Sequence, residues 1–256
     1  MGRVEGKIIL ISGGASGLGL ASARRLAQEG ATVVLADINE VQGREAAATL
    51  PGAHFALLDV TQEQSWIATI NDVLATHGRL DVLFNCAGIV RLASIEQTTE
   101  DIWRQVNAVG TDGTFYGCKH ALAAMKASGG GSIINMCSTA SIQGGPGIFA
   151  YAASKSAIRG MTKSIAVLSA QEGYGVRCNS VHPGNMETPM LSGVRDIVRE
   201  NDPEAAQGMD RIWVGEPDDV AHMVVFLASD ESRAVNGAAM VVDNTTTITE
   251  GVVPRH

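Results

Sequence analysis

Aromatic residues are scarce in this chain: five Phe, three Tyr and three Trp make up 4% of 256 residues. A core built on rings is excluded, and 29 glycines point instead to close packing of helices on strands through small side chains. Basic residues are in the minority, 19 Lys and Arg against 27 Asp and Glu, and the formal charge of −8 argues against nucleic acid or an anionic membrane as partner. Nowhere do about 18 apolar residues follow one another, and residues 1–6 hold no long apolar run, so the chain reads as cytoplasmic. Close cysteine pairs are missing as well. Cys86, Cys118, Cys137 and Cys178 lack the spacing of zinc ligands or of a redox motif and read as buried free thiols. The six histidines show no i,i+4 pair, so no metal site is expected.

What is present is an alternation. An Ile-rich run at 7–12 is followed by Gly13-Gly-Ala-Ser16-Gly17-Leu18-Gly19 and an Ala/Leu pattern to residue 28. Strand, glycine turn, helix is the context in which such glycines are informative, since the chain can turn tightly and a diphosphate can approach backbone N–H groups at a helix N-terminus. A second strand at 32–36 is closed by Asp37, eighteen residues after Gly19, where a dinucleotide fold places an acid to receive the adenosine ribose hydroxyls. Further strands are expected at 54–58, 80–84, 131–137, 176–181 and 238–243. Helices are expected at 62–77, 99–126, 150–171 and 217–229, the last with proline in its first turn. Strand and helix alternating without repeat or linker predicts one α/β domain over residues 1–256, a doubly wound, seven-stranded parallel sheet.

The chemistry centres on 138–155. Ser138 follows the apolar run 131–137, so its hydroxyl stands at a strand's carboxyl end, facing the crevice where open α/β sheets bind ligands. Tyr151 follows after twelve residues and Lys155 after three more, which puts phenol and ammonium one turn apart on one helix face. A fixed cation there favours the phenolate and suits the tyrosine to give and take a proton.

Taken in order, Ser12-Gly13-x3-Gly17-x-Gly19, Asp59, Asn85-Cys-Ala-Gly88, Ser138-x12-Tyr151-x3-Lys155 and Pro183-Gly184-x3-Thr188 resemble the short-chain dehydrogenase/reductase family over essentially the whole chain. The resemblance implies a Rossmann-type domain in which Tyr151 is the acid/base, Lys155 supports it and holds the nicotinamide ribose, and Ser138 donates to the substrate oxygen. It implies that Gly13, Ser16, Gly17, Leu18 and Gly19 bind the dinucleotide, with Asp37 and Ile38 at its adenosine ribose and Asp59 and Val60 bracketing the adenine. Asn85, Ala87 and Gly88 would border the ribose, and Pro183, Gly184, Met186 and Thr188 the nicotinamide. NADP users of the family usually supply a basic residue where this chain has Ser16 or Ile38, so Asp37 selects NAD. The family's long helices pair between subunits, which implies a homotetramer to which the tail 244–256 adds contacts.

The departures matter too. Ser12 stands for a threonine and keeps its hydroxyl; Cys86 stands for an asparagine whose amide would help tie neighbouring strands; Asp243-Asn-Thr stands for Asp-Gly-Gly. The family's catalytic asparagine position holds Gly110, and Asn107, three residues earlier, reads as an ordinary helix residue. The ending with Asp-Asn and the run at 131–136 look like bacterial hydroxysteroid and cyclic-alcohol dehydrogenases. Residues 188–215 would cover the substrate, with Met190, Leu191, Val194, Ile197 and Val198 at helical spacing and Met209, Ile212 and Trp213 beyond, or else that stripe packs on the core. An apolar cover without a fixed base suits a bulky, neutral secondary alcohol or ketone. The alternatives are a 3-oxoacyl thioester reductase and a nucleotide-binding relative without catalysis.

Overall fold

The central apolar runs form strands because each is short and apolar enough to be buried on both faces, whereas the outermost runs, at 54–57 and 239–242, are only partly buried. In this computed structural model, which describes residues 2–209 and 212–249, they are β1 (Ile8–Ser12), β2 (Thr32–Asp37), β3 (His54–Leu57), β4 (Val82–Asn85), β5 (Gly131–Met136), β6 (Val176–Pro183) and β7 (Ala239–Val242). All neighbours pair in parallel in the order β3-β2-β1-β4-β5-β6-β7, giving the expected single doubly wound α/β domain. The order reverses between β1 and β4, and the crevice beyond their carboxyl ends is where such a sheet leaves room for a ligand.

The helices are α1 (Gly17–Gln28), α2 (Glu40–Ala48), α3 (Glu63–His77), α4 (Glu100–Asn107), α5 (Gly113–Ala127), α6 (Phe149–Gln171), α7 (Pro189–Asn201), α8 (Pro203–Met209) and α9 (Pro217–Ala228). Strand residues alternate between two cores. Ile9, Ile11, Val33, Leu35, Phe84 and Ile134 meet α1, α2 and α9, whereas Leu10, Val34, Leu83 and Ile133 meet α3, α5 and α6. Each fully buried Ile or Leu contributes about 1.5–3 kcal/mol, and the two large rings at the centre, Trp66 and Phe84, are both fully enclosed. The Trp66 indole donates to the Val60 carbonyl at 3.1 Å, so burying it strands no polar atom.

The expected strands begin and end within two residues of their observed bounds, and two departures have a visible cause. β6 runs two residues past Val181, because His182 and Pro183 continue the register with Val241 and Val242 of β7. Proline fits there as the strand's last residue, where no ladder N–H is required. The helix expected at 99–126 is broken by a π-helical turn, Ala108–Asp112, joining α4 to α5. No helix among the described residues is long and apolar enough to cross a membrane. Of the tail 244–256, residues 250–256 lie outside the described residues.

Candidate active site

The glycine turn is built as its sequence suggests. Gly13 and Gly17 have φ of 68° and 51°, and a Cβ on Gly13 would stand 2.8 Å from the Ala87 backbone. A Cβ on Gly19 would collide with the Gly13 carbonyl, so the third glycine brings α1 against the turn. Ser12 Oγ accepts from the N–H groups of Cys86 and Ala87 at 3.2 and 3.4 Å, tying β1 to the segment after β4, so this serine fills the expected hydroxyl position. At the start of α1 the Ser16 side chain makes no capping bond and no acid occupies the first turn. The positive end of a twelve-residue helix is thus left open toward the cleft for an anion.

Asp37 closes β2 with its carboxylate fixed by two backbone donors, Ala15 N–H at 3.1 Å and Asn39 N–H at 3.0 Å. Asp59 is held by its own turn, accepting from Thr61 N–H and hydroxyl at 3.0 and 2.7 Å. Both line one cleft of about 720 Å³ together with Gly13, Ser16, Gly17, Leu18, Gly19, Ile38, Val60, Ala87, Gly88, Pro183, Gly184, Met186 and Thr188. Asn85 does not line it. Its amide is buried and donates to Asn135 Oδ1 at 2.9 Å, while the Asn135 amide donates to Thr162 Oγ1 at 3.0 Å. The amide that ties neighbouring strands is therefore Asn85 itself, and Cys86 does not leave that task undone.

The same cleft contains Ser138, Tyr151 and Lys155. Ser138 caps a short 3-10 turn, Thr139–Ser141, at the end of β5, and its Oγ accepts the Ala140 N–H at 3.1 Å. Tyr151 and Lys155 leave the first turns of α6 on one face, with Lys155 Nζ 5.4 Å from the centre of the Tyr151 ring. Lys155 is almost fully buried, and its ammonium donates to the Met136 carbonyl at 2.9 Å. Cys86 lies nearby, and burial, only partly offset by the Lys155 charge, pushes its thiol up to about 12. All four cysteines are free; Cys118, Cys137 and Cys178 are buried as expected and Cys86 is half-buried.

Thr188 caps α7, its Oγ1 donating to the Met186 carbonyl at 3.2 Å and accepting from Leu191 N–H at 3.3 Å. Beyond it α7 buries none of its residues, so its stripe is not packed into the core. Met190, Leu191, Val194 and Val198 face the cleft, with Met209 and Ile212 following. Ile197 is half exposed, and Trp213 packs on the core. Val90, Leu92, Gln143, Gly144, Gly145 and Gly147 also line the wall, and these the sequence reading missed; only the glycine cluster offered a signal. The bases of α7 are paired, Arg195 with Glu187 at 3.1 Å and Arg199 with Asp196 at 3.5 Å. Among the described lining residues the charged groups are Lys155, Asp37 and Asp59.

Gly110 is buried within the π-helical turn, where a Cβ would fall on Ser154 Oγ of α6. Ser154 and Thr111 hydroxyls are 3.0 Å apart, and Thr111 is 2.9 Å from Asn107 Oδ1. An amide oxygen only accepts, so Thr111 donates to Asn107 and Ser154 donates to Thr111. Asn107 is otherwise bonded to its own helix, at the Trp103 carbonyl 2.9 Å away, and it does not line the cleft.

A family model described as enoyl-(acyl carrier protein) reductase matches residues 13–247. Cyclopentanol dehydrogenase of Comamonas testosteroni is 39% identical over 251 residues, covering 95% of this chain and 98% of that protein. A 3-alpha-(or 20-beta)-hydroxysteroid dehydrogenase of Mycobacterium bovis is 40% identical over 246 residues, 96% of this chain and 91% of that protein. An NADP-dependent (R)-specific alcohol dehydrogenase of Lentilactobacillus kefiri is 38% identical over 245 residues, 94% and 96%.

Proposed function

The chain belongs to the short-chain dehydrogenase/reductase family, and within it we propose that this oxidoreductase interconverts a bulky, apolar secondary alcohol and its ketone with NAD. The substrates that fit are hydroxysteroid, cyclic or terpene-like alcohols. One observation carries the reading: the glycine turn, Ser138, Tyr151 and Lys155 share a single cleft whose outer wall is apolar and, among the described residues, holds no unpaired base.

The residues present suit a dinucleotide, since α1 presents an uncapped N-terminus and the glycine turn excludes any Cβ at its closest approach. When bound, that cofactor supplies or takes up the hydride. Asp37 would accept from the adenosine ribose, and its fixed negative charge opposes a phosphate there. Tyr151 would exchange a proton with the substrate oxygen at its phenolic oxygen. Lys155, held by the Met136 carbonyl, would stabilise negative charge on that phenol, and the Ser138 hydroxyl would donate to the reacting oxygen as charge develops on it. Helices α7 and α8 would act as the cover that excludes water.

A thioester reductase would need to hold the anionic arm of its substrate, and the bases of α7 are committed to Glu187 and Asp196. A relative without catalysis is opposed by Ser138, Tyr151 and Lys155 standing together in one cleft. Turnover of a panel of bulky secondary alcohols with NAD tests the reading. Tyr151→Phe should lower kcat by about a hundredfold or more with dinucleotide affinity kept. A faster rate on 3-oxoacyl thioesters, or a variant that keeps half of kcat, refutes it.

A further inference from the structure

The end of β6 carries a histidine with no place in the reaction as described so far. His182 is fully buried, and both ring nitrogens are occupied. Nε2 lies 2.8 Å from Ser180 Oγ; Nδ1 lies 3.0 Å from Ser141 Oγ and 3.2 Å from the Ser138 carbonyl oxygen. Burial keeps the ring neutral, lowered to about 4, so one nitrogen donates and the other accepts. A carbonyl oxygen only accepts, which places the proton on Nδ1, directed at Ser138, and leaves Nε2 to accept from the Ser180 hydroxyl.

The Ser138 carbonyl collects further donors from Ser141, the N–H at 3.0 Å and the hydroxyl at 2.8 Å. The N–H alone closes the turn, so the hydroxyl and the imidazole add constraint beyond what the turn needs. Arg159 of α6 reaches the Ser141 carbonyl at 3.4 Å from the other side. At the Ser138 side chain, one lone pair of Oγ is taken by Ala140 N–H, and the hydroxyl hydrogen is left as its donor. His182 also directly precedes Pro183 and Gly184, which line the cleft on the cofactor side.

We propose that His182 is a positioning residue for the reaction: its Nδ1–H bond to the Ser138 carbonyl, with Ser141 beside it, fixes the Ser138 hydroxyl against the reacting oxygen and ties it to the strand end that borders the cofactor. The inference rests on Ser138 donating to the substrate oxygen, as proposed above.

The test uses the full chain with His182→Asn, His182→Gln and His182→Leu, each with Ser138 intact and with Ser138→Ala. Asparagine sets an amide N–H close to where Nδ1 stood, glutamine sets one nearer Nε2, and leucine supplies none. The Asn variant should keep about a third or more of kcat, while Gln and Leu lose about tenfold or more, with dinucleotide affinity within about twofold of wild type. On the Ser138→Ala background the Leu penalty should shrink to under about twofold, because the hydroxyl it serves is gone. Similar kcat for Asn and Gln, a Leu variant with more than half of kcat, or an undiminished penalty on Ser138→Ala overturns the inference while leaving Ser138 in its role. Ser138→Ala with wild-type kcat overturns the role of Ser138 and this inference with it. If His182→Leu does not fold, the Asn and Gln contrast decides, supported by Ser141→Ala, which should lower kcat about threefold or more without loss of dinucleotide affinity.

Discussion

Replacing Gly110 by alanine puts a single methyl where the π-helical turn packs against α6. A Cβ there falls on Ser154 Oγ, although the Ser154 Cβ is 3.5 Å away, so the hydroxyl alone is the obstacle and it must rotate. Rotation breaks the bond to Thr111 and leaves a hydroxyl that is 1% exposed without that partner, at a cost of about 1–3 kcal/mol. Alanine regains about 1 kcal/mol of helix propensity over glycine. Gly110→Ala should therefore destabilise by about 1 kcal/mol, a fall in Tm of about 2–4 °C for a domain of this size. On a Ser154→Ala background the obstacle is gone, and the same change should stabilise by about 1 kcal/mol. Denaturant unfolding of the four proteins reads the coupling directly. Additivity within about 0.5 kcal/mol would show that Ser154 Oγ does not fill the space beside Gly110. Gly110→Asn meets the same hydroxyl, but Ser154 can turn without moving the backbone of Lys155. Its kcat should change by under about tenfold, or ~1.4 kcal/mol.

Wild-type kcat/KM should favour NAD over NADP by about a hundredfold or more, because the Asp37 carboxylate is pinned by two N–H groups and no base lines that end of the cleft among the described residues; a preference for NADP refutes this. Thr245 holds φ of 72°, which costs a β-branched residue about 1–2 kcal/mol; Thr245→Gly should raise stability by up to about 1 kcal/mol, and a loss would show that the threonine side chain is needed. His182 is lowered from 6.5 to about 4 by burial first and by the charges of Arg159, Lys155 and Lys163, against the bond to the Ser138 carbonyl. Below pH 6.5 the unfolded chain takes up a proton that the folded chain refuses until about pH 4, so stability falls across that window by at most about 3 kcal/mol. Urea midpoints at pH 7 and pH 5 should differ in the wild type and differ less in His182→Asn; equal midpoints in the wild type refute the linkage. Trp103, Phe115, Val167 and Leu168 on α4 to α6 are 40–56% exposed, an apolar surface that pairing of subunits would cover, so light scattering at micromolar concentration should give a tetramer or a dimer, and a monomer refutes it.

The sheet was legible because its evidence is local: a short apolar run, a closing residue, then a helical pattern. The cleft was legible for the same reason. Gly13 to Gly19, Asp37, Ser138 and the strand end at Pro183 all follow strands, and a parallel sheet gathers its carboxyl ends on one side. What escaped the sequence depends on contacts between distant segments. The π-helical turn at Ala108–Asp112 has an ordinary helical pattern, and the buried position of Gly110 against Ser154 involves a residue 44 positions away. The motif that contains Asn85 borders the cleft, while the partners of its side chain, Asn135 and Cys118, belong to the next strand and to α5, and local sequence does not reveal them.

Departures from a family pattern also differ in weight once the backbone is known. Asp243-Asn-Thr reads as a change from Asp-Gly-Gly, yet Asn244 and Thr245 both take positive φ, 44° and 72°, the conformation glycine adopts freely. Asp243 holds them there, accepting from the N–H groups of Thr245 and Thr247 at 3.1 and 2.8 Å and from the Thr247 hydroxyl at 2.7 Å. The turn is kept and the glycines' ease is replaced by side-chain bonds to one carboxylate. Gly110 runs the other way, since an amide side chain is lost and the hydroxyls of Ser154 and Thr111 occupy the neighbourhood and link it to Asn107. At each place the local geometry is held by a different set of atoms. Substitutions at Asp243, which holds the turn, and at Ser154, an unspecified position between Tyr151 and Lys155, should therefore disturb more than the motifs alone suggest.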